Sequence, residues 1–226
     1  DVLGAARHAL AAGHPVHAVT NRPDAPLIDL VREGGARHQT VALVGPSFEE
    51  GLAARHAAVP MALLAGRLYA RGEERVDAGL FEAPALLPLD PFGGRPGDVV
   101  ALGAGLARPA AEVFAHLVRE SGLAPARAGD PRDFAHGEFV AVGPQTRVAV
   151  FGLGEQAWLG AYLGALPTAV APLRRVDPRP GAAGAVALFA QALDAAGVVM
   201  RAAGAQPGRE SIPPWAAALY RLPVDG

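Results

Sequence analysis

With 226 residues, 51% of them apolar, the chain has the length and composition to bury a core as one large or two small domains. Its 20 basic residues are all arginine and face 22 acidic ones, and the net charge of −2 is too balanced for a nucleic-acid or polybasic membrane surface. The absence of cysteine excludes a disulfide framework, a thiol nucleophile and a thiolate metal site.

These totals point to a small molecule or a second protein chain as the partner, with no nucleic acid and no membrane. No apolar run is expected to reach the roughly 18 residues of a spanning helix. The first residues lack the basic-then-apolar pattern of a signal peptide, so the expected location is cytoplasmic.

In chain order, "DVLGAARHALAAG" reads as an alanine-rich helix with Gly13 as its stop signal. "HPVHAVTN" (14–21) has the β-branched alternation of a strand, "DAPLIDLVREGG" (24–35) reads as a helix ended by glycines, and "HQTVALVG" (38–45) as a second strand. Residues 49–71 keep helical spacing around Pro60, which should kink or break the turn it occupies. The Pro- and Gly-rich stretch after residue 82 has no sustained period and reads as a linker, placed at 85–98. This divides the chain into a first subdomain at 1–84 and a second at 99–226.

The second half repeats the strand-then-helix grammar. "VVALGAG" (99–105) reads as a buried strand, 106–122 as a helix ending near Gly122, and 146–154 and 167–176 as strands around a helical "EQAWLGAYLGAL". A long apolar helix follows at 182–204, expected to be buried against a sheet or a second copy. Strands alternating with helices indicate an α/β fold with parallel sheets.

Gly103 and Gly105 form a Gly-x-Gly turn between a strand and a helix, a geometry that can aim backbone N–H groups at an anion. Gly152, Gly154 and Ala157 approach a dinucleotide fingerprint, but the following strand ends in "RRVD", with Asp177 late. Glycines of tight turns are the simpler reading, and no organic cofactor or metal is expected. Glu120 closes a helix and His136 follows sixteen residues later in "DFAHG". A carboxylate and an imidazole around a sugar suit an aldose–ketose isomerase, the imidazole opening the ring and the carboxylate moving a proton between C1 and C2 through a cis-enediol. Spacing alone favours the plainer reading, a solvated helix-end glutamate and a surface or capping histidine.

The run from "GDVVALGAGLARPAAEVFAHLVRESG" to "RDFAHGEF" resembles the second half of a double SIS (sugar isomerase) protein, as in phosphoglucose/phosphomannose isomerases and the isomerase domain of glucosamine-6-phosphate synthase. "DVLGAARHALAAGHPVHAVTNRPDAPLIDLV" is similar to a first SIS half just past its phosphate loop. The resemblance implies two SIS-like three-layer α/β/α units with parallel sheets, the first incomplete at its N-terminus, paired as a homodimer. It implies a sugar phosphate as substrate, Glu120 as proton shuttle and His136 as ring opener. Substrate contacts are expected from Gly103 and Gly105, from Thr20 and Asn21 at a strand end, from His56 across the dimer, and from Arg221.

Three departures qualify the activity. The serine- and threonine-rich phosphate loop of such proteins would lie before Asp1. A catalytic lysine has no counterpart, and Arg221 is a fixed charge in its place. Glu138 stands where a proline usually follows the His-Gly pair, putting a further carboxylate beside His136. The alternative is a sugar-phosphate-binding SIS protein without turnover, acting as a sensor or regulator.

Overall fold

Two apolar runs, "DVVAL" and "TRVAVFGL", become the centre of a parallel sheet because alternate side chains of each feed two different cores. In the computed structural model, which describes residues 2–14, 16, 18–20, 26–34, 38–40, 62, 66 and 90–205, the chain divides into two compact units. One comprises Asp1–Glu49 with Ile212–Gly226, the other Glu50–Ser211.

In the first unit, α1 (Val2–Ala11) stops where expected: Gly13 takes φ of +74° and the His14 N–H closes on the Ala9 carbonyl at 2.9 Å. Strands β1 (Ala18–Thr20) and β2 (His38–Thr40) pair in parallel around α2 (Pro26–Glu33), which buries Ile28 and Val31. The helix expected over 49–71 lies outside the described residues apart from positions 62 and 66, both helical, and the tail after 205 lies outside them entirely.

The second unit holds a four-stranded parallel sheet in the order β4-β3-β5-β6. Its strands are β3 (Asp98–Leu102), β4 (Ala126–Gly129), β5 (Thr146–Leu153) and β6 (Leu173–Asp177). On one face Val99 and Ala101 of β3 and Ala149, Phe151 and Leu153 of β5 pack with Phe114, Leu117, Leu188 and Val199. These partners come from α3 (Arg108–Glu120) and α6 (Gly181–Ala202). On the other face Val100, Leu102, Val148 and Val150 meet Phe134 and Leu159, from α4 (Pro131–Ala135) and α5 (Leu159–Ala165). Strands buried on both faces read as continuous apolar runs. Phe114 anchors the larger core, edge-on to Phe92 at 6.4 Å and tilted against Phe151 at 5.3 Å; burying such a ring stabilises by roughly 1.5–3 kcal/mol.

Two expectations need correction. β4 and the short α4 interrupt what reads as one loop between a helix and a strand. And α6 is long and apolar enough to cross a membrane, with a mean hydropathy of 1.6 over its best window, contrary to the expectation that no run would qualify. Two thirds of that window is buried, because α6 lies against the sheet and α3, and a core helix acquires the same composition.

Arginines tie irregular segments to this framework. Arg95 donates to the Leu123 and Gly122 carbonyls at 2.9 and 2.6 Å, and Arg147 to the Phe92 carbonyl at 3.2 Å. Arg174 of β6 donates to the carbonyls of Leu163, Leu166 and Ala171 at 3.1, 2.6 and 2.9 Å, capping the end of α5.

Candidate functional site

In this sheet β4 lies to one side of β3 and β5 to the other, so the strand order reverses between β3 and β5. Crevices of open α/β sheets form beyond the carboxyl ends of the strands at such a point. Gly103 and Gly105 sit there. A side chain on Gly103 would meet the Ala107 carbonyl oxygen at 2.7 Å, and Gly105 has φ of +56°, so both positions require glycine. A short 3-10 turn, Gly105–Ala107, leads into α3. Gln156 bridges the two loops: its Oε1 accepts from the Leu153 N–H at 3.0 Å and its Nε2 donates to the Ala104 carbonyl at 3.1 Å. Sequence reasoning missed Gln156, whose position four residues past Gly152 gives no signal of a partner 52 residues away.

His136 lies beyond the carboxyl end of β4. Asp130 caps α4 by accepting from the Arg132 N–H at 2.7 Å, Pro131 occupies the first turn, and the His136 N–H closes the helix on the Arg132 carbonyl at 2.9 Å. The imidazole is exposed and borders a cleft with Arg132, Trp158 and Tyr162. Burial, reinforced by the charges of Asp130 and Glu138, pushes the Tyr162 hydroxyl up to about 12. Glu138, expected to sit as a second carboxylate beside His136, is met by Arg127 at 3.8 Å.

Glu120 lies at the opposite end of the strands, by the amino end of the same β4. α3 runs back from the carboxyl end of β3, so its last residue falls at the amino end of β4, where Arg119 donates to the Ala126 carbonyl at 2.9 Å. The four residues of β4 span about 13 Å, and one chain does not bring Glu120 and His136 together. Glu120 pairs instead with His116, one helical turn earlier, at 3.0 Å. His116 Nδ1 faces an Arg119 nitrogen at 3.3 Å. A guanidinium only donates, so Nδ1 accepts and Nε2–H is left to donate to Glu120. The i, i+4 spacing of His116 and Glu120 on one helix face was the signal available in the sequence.

The dinucleotide-like glycines serve packing. A Cβ on Gly152 would collide with Leu159, and the Gly154 N–H donates to the Asp177 carbonyl at 2.7 Å. Asp177, the acid such a fingerprint needs, is 1% exposed and fully engaged. Arg179 grips it through Nε and Nη2 at 2.8 and 2.7 Å, and Gln191 donates at 2.7 Å. Burial raises its carboxyl, but these hydrogen bonds and the Arg179 charge prevail and hold it below the usual carboxylate value. Of the remaining expected contacts, Thr20 is the last residue of β1, and Asn21, His56 and Arg221 lie outside the described residues.

No family model and no curated protein matches the chain. Among solved structures, the C-terminal domain of glucosamine-fructose-6-phosphate aminotransferase from Francisella tularensis superposes with a TM-score of 0.60 at 14% identity, over 91% of this chain and 69% of that one. A provisionally assigned sugar-phosphate isomerase from Listeria monocytogenes gives a TM-score of 0.40 at 18% identity, over 52% of this chain and 75% of that one. A protein of Escherichia coli CFT073 in complex with A5P gives 0.40 at 14% identity, over 73% and 94%. The parallel sheet between its helical layers thus has an SIS-like three-layer α/β fold, shared with the aminotransferase domain.

Proposed function

We propose that this protein is a cytoplasmic sugar-phosphate aldose–ketose isomerase built of two SIS-like units, at 1–84 and 99–226, and working through a cis-enediol. Glu120 carries the proton between C1 and C2, and His136 opens the ring. The observation that carries this reading is the fold likeness over 91% of the chain. It accompanies a strand, a Gly-x-Gly turn, a helix ending in Glu120 and a capped turn ending in His136, in the order SIS isomerases use.

The separation of the two residues gives the reading a further requirement. Among the described residues β4 is the edge strand, with Glu120 at its amino end and His136 past its carboxyl end. Copies paired antiparallel along that edge, about a two-fold axis perpendicular to β4, set the amino end of one β4 beside the carboxyl end of the other and so bring Glu120 of one copy to the side of its partner's His136. The site is therefore shared within a homodimer.

The test is deuterium incorporation followed by NMR, with the protein in D₂O and glucose, fructose, mannose or glucosamine 6-phosphate. Exchange at C2 of the aldose or C1 of the ketose, abolished by Glu120→Gln, is the expected result. The same separation favours a second reading, a binding protein without turnover, which saturable binding with no exchange would establish.

A further inference from the structure

At the carboxyl side of the sheet, the end of α4 and the start of α5 enclose a cleft lined by Pro131, Arg132, Ala135, His136, Trp158 and Tyr162. Three of these side chains are left with unmet capacity. Trp158 is 36% exposed, unusual for so large an apolar surface, and is held edge-to-face against Tyr162 with ring centroids 5.6 Å apart. The Tyr162 hydroxyl is buried with no hydrogen-bond partner among the described residues, a state that folded proteins seldom leave unanswered. The Arg132 guanidinium meets no carboxylate among the described residues: neither Asp133, its neighbour in sequence, nor Asp130, which accepts the Arg132 backbone N–H through Oδ1 at 2.7 Å, pairs with it.

An aromatic wall, a hydroxyl able to donate and accept, and a planar cation are the complement of one ligand class. The carbon face of a sugar is apolar, its rim offers hydroxyls, and a phosphate fits the guanidinium fork. We propose that this cleft binds a phosphorylated polyol, the carbon skeleton against Trp158, a hydroxyl on Tyr162 and the phosphate on Arg132. The inference rests on the isomerase reading in one respect: it places the bound sugar beside His136, the group assigned to ring opening. It also gives the second unit a phosphate contact of its own, independent of any loop in the first.

Calorimetric titration of the full chain with fructose 6-phosphate and glucose 6-phosphate tests it, with fructose and inorganic phosphate as controls. Saturable binding of a sugar phosphate is expected, weakened about tenfold or more by Arg132→Gln or by Trp158→Ala and severalfold by Tyr162→Phe. The tryptophan emission of the native protein should change over the same concentrations, and in Trp215→Phe as well, which leaves Trp158 as the reporter. Affinities unchanged within about twofold in the Arg132 and Trp158 variants, or no binding of either sugar phosphate, would overturn the proposal. Proton exchange that persists with unaltered affinity in those variants removes the cleft and keeps the isomerase. Binding that the variants abolish, in a protein showing no exchange, keeps the cleft and removes the isomerase.

Discussion

Asp177 shows how a single buried group can look functional in sequence and prove structural in place. It stands where a dinucleotide fold would put its ribose-binding acid, yet Arg179 and Gln191 occupy both its oxygens. Asp177→Asn should destabilise the protein by about 1–3 kcal/mol in urea unfolding at neutral pH. Because the folded carboxyl lies below its ordinary value, the stabilisation is present above about pH 4 and is lost as pH falls through the folded value, so wild type and variant should converge in acid. Residue-level roles were only partly legible beforehand. Glu120 and His136 stood out by their order along the chain, but order carries no distance; the i, i+4 spacing that pairs Glu120 with His116 was there to be read, whereas the Arg119 contact that orients the His116 ring emerges only once α3 is formed.

At the scale of elements, α3, β3, β5 and α6 were legible because their patterns are strong: continuous apolar strands, helical spacing, and Gly122 at φ +65° past the end of α3. β4 was not, since "ARAG" has no β-branched residue and becomes a strand only because β3 offers it a ladder from Val99 to Leu102. α4 was missed for its five-residue length, though the Asp-Pro start was a readable cap. Gly184 in α6 illustrates packing overriding propensity. Alanine would gain about 1 kcal/mol as a helix former, but its Cβ would run into the backbone carbonyl of Arg179. Gly184→Ala should therefore lower stability by about 1–2 kcal/mol net, seen as a melting temperature reduced by several degrees.

For the whole molecule, the proposed shared site makes a prediction that no single-chain site can make. Glu120→Gln and His136→Gln are each expected to be inactive in the exchange assay. Unfolded together in equal amounts and refolded, half of the dimers are mixed, and each mixed dimer carries one intact site of two, restoring about a quarter of wild-type exchange. Activity that stays absent in the mixture would place both residues in one chain's site or in none. The arginine ties described for the fold bear on the molecule as a whole in another way. Arg147 joins β5 to Phe92, Arg95 joins the segment before β3 to the end of α3, and Arg174 joins β6 to the end of α5. Each spans from an element with a deep core to one with little of its own, so the weaker piece cannot open alone without stranding carbonyls that a guanidinium had satisfied. The irregular stretch at 90–97 and the short helix carrying Tyr162 thereby belong to the cooperative unit of the sheet, and the cleft beside His136 is held in shape by the stability of the strands beneath it.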